Sequence, residues 1–458
     1  MILGISNSIH NSSAALVDDG EVIAAVDEER ISRYKRDGRV PTGAVNAVIN
    51  EHEPEDISKI SVSGTIRWSV RRQLKSVIRS TVSSSEFSSQ YAGSKEGVTT
   101  SPNRFTNLGI GLFKTLQQPD KFLAKVADSL LSDTPIEPPV LDKMEYVDHH
   151  RAHAAGAFFT SGFDEATVLT VDSAGDNLSS TVYHGDGASL SRIAANSTVD
   201  SIGRIWSRLP TVFGFKGARH AGKFMGLAAY ADEPPEELRG LFRDMVSVDG
   251  MDIKNNWSRG MKGSNYEELV RDLRNRLEEY PAPQVARAFQ DRTEEIISEF
   301  AEAAVSETGC GNVAVSGGVM ANVKSNQRIY ELPSVNSIWV QQAMSDSGLS
   351  IGGAYHIGSR DHGWMGERFD SVALGQSYDD DTVTKALERY GQESFGKKRF
   401  PNLDDLAEKV AEHLASGDVV CLFRGRMEYG PRALGQRSIL YQPTDPDAID
   451  WLNKRLDR

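Results

Sequence analysis

The chain has 458 residues, 39% of them hydrophobic, enough for two or three domains with cores of their own. Its 51 Lys and Arg against 64 Asp and Glu leave a net charge of −13, which argues against duplex nucleic acid as a partner, because that function needs a basic footprint. The two cysteines, Cys310 and Cys421, lie far apart with no CxxC, so a thiolate metal site is excluded and a reducing compartment is expected.

The N-terminus, Met1 to Ser6, has no basic leader and no long apolar core, and no apolar run of roughly eighteen residues follows, so the expectation is a soluble cytoplasmic protein without membrane contact. Ile2–Ser6 reads as a strand. Ser13–Val17 and Glu21–Val26 flank Asp18-Asp19-Gly20 as a hairpin. Between Arg67 and Leu130 the composition shifts. Arg67, Arg71, Arg72, Lys75 and Arg79 precede the Ser-rich run Ser83–Ser89, read as a solvated surface insertion, with a substrate lid as the alternative. Val168–Asp172 is a strand, Ser173–Asp176 a loop, Ser179–Tyr183 a strand, and Leu190–Ala195 returns after a turn at Gly185–Gly187. One strand–loop–strand–turn–strand plan thus occurs twice, which predicts two similar α/β lobes with ligands between them. Tyr266–Tyr280 and Ala286–Thr308 have apolar positions at helical spacing. Asn312–Gly318 reads as a strand and glycine turn, and Val319–Tyr330 as the helix after it. A last segment holds a helix, Leu403–Ser416, and the strand Val419–Phe423.

Three motifs carry chemistry. In His149-His150-Arg151-Ala152-His153 the small and aromatic residues that follow suit a helix, which brings His149 and His153 onto one face a turn apart. Two imidazoles plus a carboxylate from elsewhere, Asp346, make a set that leaves metal positions open and often selects Fe(II). His150 lies about 100° around the helix and is not expected to share the ion. A capping or surface histidine cluster is the alternative for an isolated HxxxH. The second motif is Ser316-Gly317-Gly318, a strand-to-helix turn whose glycines admit a ligand close to the backbone; Asp172 ends a strand beside another small-residue loop. The third is Arg424–Ser438, four arginines interleaved with Gly and Pro, suited to gripping phosphate or carboxylate. His220–Tyr230 is glycine-punctuated but lacks the spacing of a P-loop.

In order along the chain, these motifs resemble the O-carbamoyltransferase family of nodulation-protein U and tobramycin carbamoyltransferase. The resemblance rests on Ile2–Ile5 with His10 and Ser13–Leu16, Glu28-Glu29-Arg30 with Arg33 and Lys35, and His149–Ala154. It continues through Met225–Ala228, Ser316–Val319 with Asn322, Ser345–Gly348 and Gly425–Gly435. It implies an α/β fold: a duplicated, ribonuclease-H-like, two-lobed domain of the actin–sugar-kinase type at 1–370 (lobes about 1–160 and 161–370). A partial YrdC-like α/β domain follows at 371–458. It also implies an ATP-dependent carbamoyltransferase that moves the carbamoyl group of carbamoyl phosphate, through carbamoyl adenylate, to a hydroxyl of a small acceptor such as a sugar or natural product. By position, His149, His153 and Asp346 hold a divalent metal, Fe2+ by the donor set. Lys35, Asp172, Gly318 and Asn322, with Gly317 in the same turn, hold the adenylate. His10 lies by the acceptor hydroxyl, and Arg426 and Arg432 bind carbamoyl phosphate. Asn11, Ala174, Asp176 and Ala229 depart from the family pattern. The family continues beyond the segment matched by Leu452-Asn453, so a truncated activation domain is expected, supplied by a partner chain or absent, with homo-oligomerisation the other association foreseen. The alternatives are a sugar- or acetate-kinase-like phosphotransferase and a non-catalytic nucleotide-binding fragment.

Overall fold

The computed structural model describes residues 1–50, 52–64, 119–137, 142–261, 263–389, 396, 398–445 and 447–455. The expected basic segment and Ser-rich run at Arg67–Ser89 lie outside these residues. The chain forms two compact units, Met1–Asp370 and Ser371–Arg458.

The first unit is built on two five-stranded sheets. β1 (Ile2–Ser6), β2 (Ser13–Asp18), β3 (Glu21–Asp27), β4 (Lys59–Ser63) and β5 (Met144–Tyr146) are ordered β3-β2-β1-β4-β5. β6 (Glu165–Gly175), β7 (Leu178–Asp186), β8 (Ser189–Ser197), β11 (Asn312–Ser316) and β12 (Ser337–Val340) are ordered β8-β7-β6-β11-β12. In each sheet the first strand pairs antiparallel with the second and parallel with the fourth to be added. The repeated plan is therefore a real duplication of topology in an α/β fold. A small hairpin, β9 (Val246–Asp249) and β10 (Asp252–Asn255), stands apart from both sheets.

Helices link the halves. α1 (His149–Phe159) follows the first sheet but packs on β6 and β11 of the second. The long α2 (Ala282–Thr308) follows Pro281 and ends at Gly309, whose φ of 71° closes the last turn. α3 (Val323–Tyr330) lies beside β12. α4 (Leu349–His362) follows the second sheet and returns to β1, β2 and β4. α1 and α4 touch backbone to backbone: a Cβ on Gly352 would fall 1.8 Å from the Ala152 carbonyl oxygen, so only glycine fits there. Around α2, Phe289, Phe300, Phe242 and Trp206 form an aromatic core; burying each stabilises by roughly 1.5–3 kcal/mol.

Two expectations are corrected in detail. Ser173–Asp176 is not a loop. β6 runs on to Gly175 through a break in register after Val171, and Asp176-Asn177 make the turn to Leu178 with φ of 47° and 69°. Asp and Asn tolerate that left-handed geometry, which suits two-residue hairpin turns. The expected helix Val319–Tyr330 opens instead as a 3-10 turn, Gly318–Ala321; Asn322 breaks it at ψ 96° and its side chain caps α3.

The second unit is a smaller α/β body. It holds helices Asp380–Arg389, Leu403–Ala415 and Ala448–Arg455, and the antiparallel pair β13 (Val420–Phe423) and β14 (Arg437–Leu440). Among the described residues no helix is long and apolar enough to cross a membrane.

Candidate active site and metal centre

α1 begins where Asp148 accepts a hydrogen bond from the Arg151 backbone N–H, 3.1 Å away. One turn then separates His149 from His153; both are fully buried, with ring centroids 4.7 Å apart. The His149 ring lies flat against Gly175, where a Cβ would sit 2.0 Å from its Cδ2. From below, β6 presents Asp172 at its register break, a position where a strand re-aims a side chain. Asp172 Oδ2 lies 3.1 Å from His149 Nε2 and 3.5 Å from His153 Nε2. Asp346, on the turn that opens α4, brings Oδ1 to 3.9 and 4.0 Å from the same two nitrogens. Ser6 of β1 fixes that turn by donating to the Asp346 carbonyl oxygen at 2.7 Å. One donor atom from each of His149, His153, Asp172 and Asp346 thus lies within 4.8 Å of the others.

A relay sets the His153 tautomer. Gln341 Nε2 donates to the Gly348 carbonyl at 3.1 Å, which leaves Oε1 to accept from the Ser316 hydroxyl at 2.5 Å. Ser316 Oγ therefore accepts from His153 Nδ1–H at 2.9 Å, and Nε2 faces the cluster as a bare lone pair. On the neighbouring turn Asp176 accepts from the His149 backbone N–H at 2.9 Å and from the Tyr146 hydroxyl.

The electrostatics fit a cation. Among the described residues, His153 Nε2 and Asp346 Oδ1 are sealed from solvent without a hydrogen-bond partner. Burial raises the cost of charge on Asp172, but its two imidazole neighbours, above all the hydrogen bond with His149 at 3.1 Å, outweigh it and hold its carboxyl well below the usual range. Burial likewise opposes a charged His149, yet the Asp172 hydrogen bond and the Asp346 charge push it up to about 9. For His153 burial wins and its pKa falls. Two carboxylates and an inward-facing neutral imidazole are the donors a divalent ion needs.

Other expected residues divide. His150 stands outside the cluster, Nδ1 2.6 Å from Thr170 Oγ1, and burial with two imidazole neighbours pushes it down to about 3. His10 lies on the loop between β1 and β2, Nδ1 3.7 Å from Asp346 Oδ2, with 30% of its side chain exposed. Lys35 is mostly exposed and pairs with Glu29 Oε1 at 2.5 Å. Gly317 has φ 102°, donates to the Met344 carbonyl at 2.8 Å, and leaves only 2.3 Å between a would-be Cβ and the Val171 carbonyl oxygen. A Cβ on Gly318 would meet Asp172 Oδ1 at 3.0 Å. The Asn322 amide is spent on the α3 cap and on a reciprocal pair with Gln290 at 2.9 and 3.1 Å. In the second unit, Arg426 donates to the Gly375 and Leu374 carbonyls at 3.0 and 2.8 Å. Arg432 is exposed on a turn whose Leu434, Gln436 and Arg437 N–H groups all donate to Glu428 Oε1. Sequence reasoning gave Asp172 to the nucleotide and passed over Ser316–Gln341 and Asp176. The serine before the glycine pair was the available signal for the relay.

The carbamoyltransferase N-terminus family matches residues 1–355, and the carbamoyltransferase C-terminus family matches 411–458. An uncharacterised protein of Synechocystis sp. is 30% identical over 99% of this chain and 73% of its own length. The nodulation protein NolNO of Sinorhizobium fredii is 28% identical over 98% of this chain and 61% of its own. The 3'-hydroxymethylcephem-O-carbamoyltransferase of Amycolatopsis lactamdurans is 28% identical over 54% of this chain and 43% of its own. With the duplicated sheets and the buried histidine–carboxylate cluster, these matches make the chain a member of the carbamoyltransferase family.

Proposed function

We propose that this chain transfers a carbamoyl group from carbamoyl adenylate, derived from carbamoyl phosphate and ATP, to a hydroxyl of a small-molecule acceptor. The observation that carries the reading is the buried four-donor cluster of His149, His153, Asp172 and Asp346 beside the half-exposed His10. These four residues would hold the ion, Fe(II) from its mixed imidazole and carboxylate donors. When bound, such an ion supplies Lewis acidity to a carbonyl or phosphoryl oxygen. Asp172 is placed with the ligands in this reading, and the nucleotide is assigned to Lys35 and the Gly317-Gly318 turn. Asn322 serves the nucleotide by fixing the turn that it caps. Arg426 and Arg432 are assigned to carbamoyl phosphate in a YrdC-like second unit.

The acceptor oxygen attacks the carbamoyl carbon. A C–O bond forms to the acceptor, the C–O bond to the adenylate phosphate breaks, and AMP departs. The acceptor proton passes to the imidazole of His10, and the Asp346 carboxylate 3.7 Å from Nδ1 stabilises the imidazolium that results. The family match sets the phosphotransferase reading aside.

The test incubates purified protein with Fe(II), hydroxylated metabolites and either carbamoyl adenylate or carbamoyl phosphate plus ATP. Carbamoylated acceptor with AMP release is expected, lowered about 10²–10⁴-fold in His10→Ala at unchanged metal content. ADP with a phosphorylated acceptor would return the kinase reading.

A further inference from the structure

One pair of cations, on the segment that packs against Asp172 and Ser173, has no use in the scheme above. The four-residue helix Gly203–Trp206 starts against the site wall. Ser201 Oγ donates to the Asp172 carbonyl at 3.2 Å, and a Cβ on Gly203 would sit 2.8 Å from the Ser173 Cα and 3.0 Å from Val319 Cγ2. Ser173 N–H in turn donates to Asp172 Oδ1 at 2.6 Å. Arg204 and Arg208 leave this segment a turn apart, both half-buried.

Neither guanidinium has a carboxylate partner among the described residues, in a chain with 64 acidic residues to choose from. Arg208 Nη1 donates only to the Arg204 carbonyl at 2.8 Å and to Ser207 Oγ at 3.1 Å, and its Nε is buried without a partner. Its guanidinium stacks over Tyr266, 5.5 Å from the ring centroid. Burial, then the charge of Arg208, lowers Arg204 to about 10. Like charges a turn apart repel, and half-buried guanidinium groups lose hydration, so the pair is a standing cost in the free protein. Arg219 and Lys223 extend the same sign along the next exposed segment, and Arg36 is close enough to feel both Arg219 and Asp346.

We propose that Arg204 and Arg208 form an oxyanion subsite for the acceptor, so that the hydroxyl compound carbamoylated here carries a phosphate, sulfate or carboxylate group. Guanidinium groups suit such ligands because their planar donors match oxyanion geometry and charge. The subsite deepens the transfer reading and rests on it for the word acceptor. The anion-binding itself does not depend on that reading.

The same chemistry could serve the nucleotide phosphate, and the experiment separates the two. Inorganic sulfate and AMP are titrated separately by calorimetry into the full chain, as wild type and as Arg204→Leu/Arg208→Leu, with Arg204→Gln/Arg208→Gln as a second variant. Thermal melting verifies that each is folded. Sulfate affinity is expected to fall at least tenfold in both variants while AMP affinity stays within twofold. A hexose phosphate should compete with sulfate where the parent hexose does not. Unchanged sulfate binding in a folded variant overturns the subsite. A parallel tenfold loss of AMP binding overturns its assignment to the acceptor. Sulfate loss without any carbamoyl transfer by the wild type would leave the subsite standing and count against the transfer reading alone.

Discussion

The two halves of the first unit share one strand plan but end their opening hairpins differently. β1 stops at Ser6, and residues Asn7 to Ser12 loop outward before β2, carrying His10 to the rim of the cluster with 30% of its side chain exposed. β6 does not stop at the matching place. It breaks register after Val171 and continues to Gly175, where Asp176-Asn177 turn tightly into β7. The break aims Asp172 into the buried cluster, and the tight turn lets Asp176 hold the start of α1. An open loop thus presents a partly exposed imidazole, and a bulged strand presents a carboxylate held against two buried histidines. Duplication gave one scaffold twice; what differs is how far each first strand runs.

The largest effect should come from removing the fixed group. In Asp172→Ala the two imidazoles lose the carboxylate 3.1 and 3.5 Å away. Metal content is expected to drop to under about a tenth of an equivalent and turnover by about 10²–10³-fold, beyond the roughly 10–100-fold loss usual for residues one shell out. His10→Ala, the matching change in the first half, should keep its metal. Elemental analysis of both proteins decides it, and equal metal in Asp172→Ala and wild type would remove Asp172 from the ligand set.

Next is the wall behind the bulge. Gly317 adopts φ 102° with its Cα packed on Val171, the last paired residue before β6 breaks register. Gly317→Ala adds backbone strain and a 2.3 Å contact with a carbonyl oxygen. It should destabilise the protein by about 3 kcal/mol, read as a lower urea midpoint. A loss below about 1 kcal/mol would mean the bulge yields easily and does not fix Asp172.

These positions also show what a sequence can reveal. The duplication was legible because strand alternation and the Asp-Gly and Gly-Asp-Gly turns recur, and the pairing of His149 with His153 because HxxxH on a helix has one geometry. Asp172 was visible as a strand-end carboxylate, but its neighbours in the cluster come from α1 and from the turn that opens α4, nearly two hundred residues apart in sequence. Nothing local says that a bulge follows Val171, since a register break depends on the neighbouring strand. Asn322 was legible as part of a glycine turn, yet its amide is absorbed by a cap and by Gln290 on α2. Arg426 read as an anion ligand, whereas its guanidinium reaches backbone carbonyls of Leu374 and Gly375 that no spacing rule foresees.

The smallest effect compares two asparagines. Asn11 follows His10 with φ 59°, and Asn177 closes the β6–β7 turn with φ 69°; both are positions that alanine occupies at a cost of about 1 kcal/mol. Asn177→Ala should lower stability by that amount and leave kcat/KM within twofold, because the turn is anchored through Asp176 to α1. Asn11→Ala should cost similar stability and also lower kcat several-fold, because the loop aims its neighbour His10 at Asp346 Oδ2, 3.7 Å from Nδ1, with no hydrogen bond to Nδ1 among the described residues. Glycine at either position relieves the φ strain, so Asn177→Gly should restore stability. Asn11→Gly should restore stability but not kcat, since glycine frees the loop that aims the imidazole. Equal kcat losses from the two alanine variants would show that both hairpin ends position the chemistry alike, and the contrast between open loop and bulged strand would then fail.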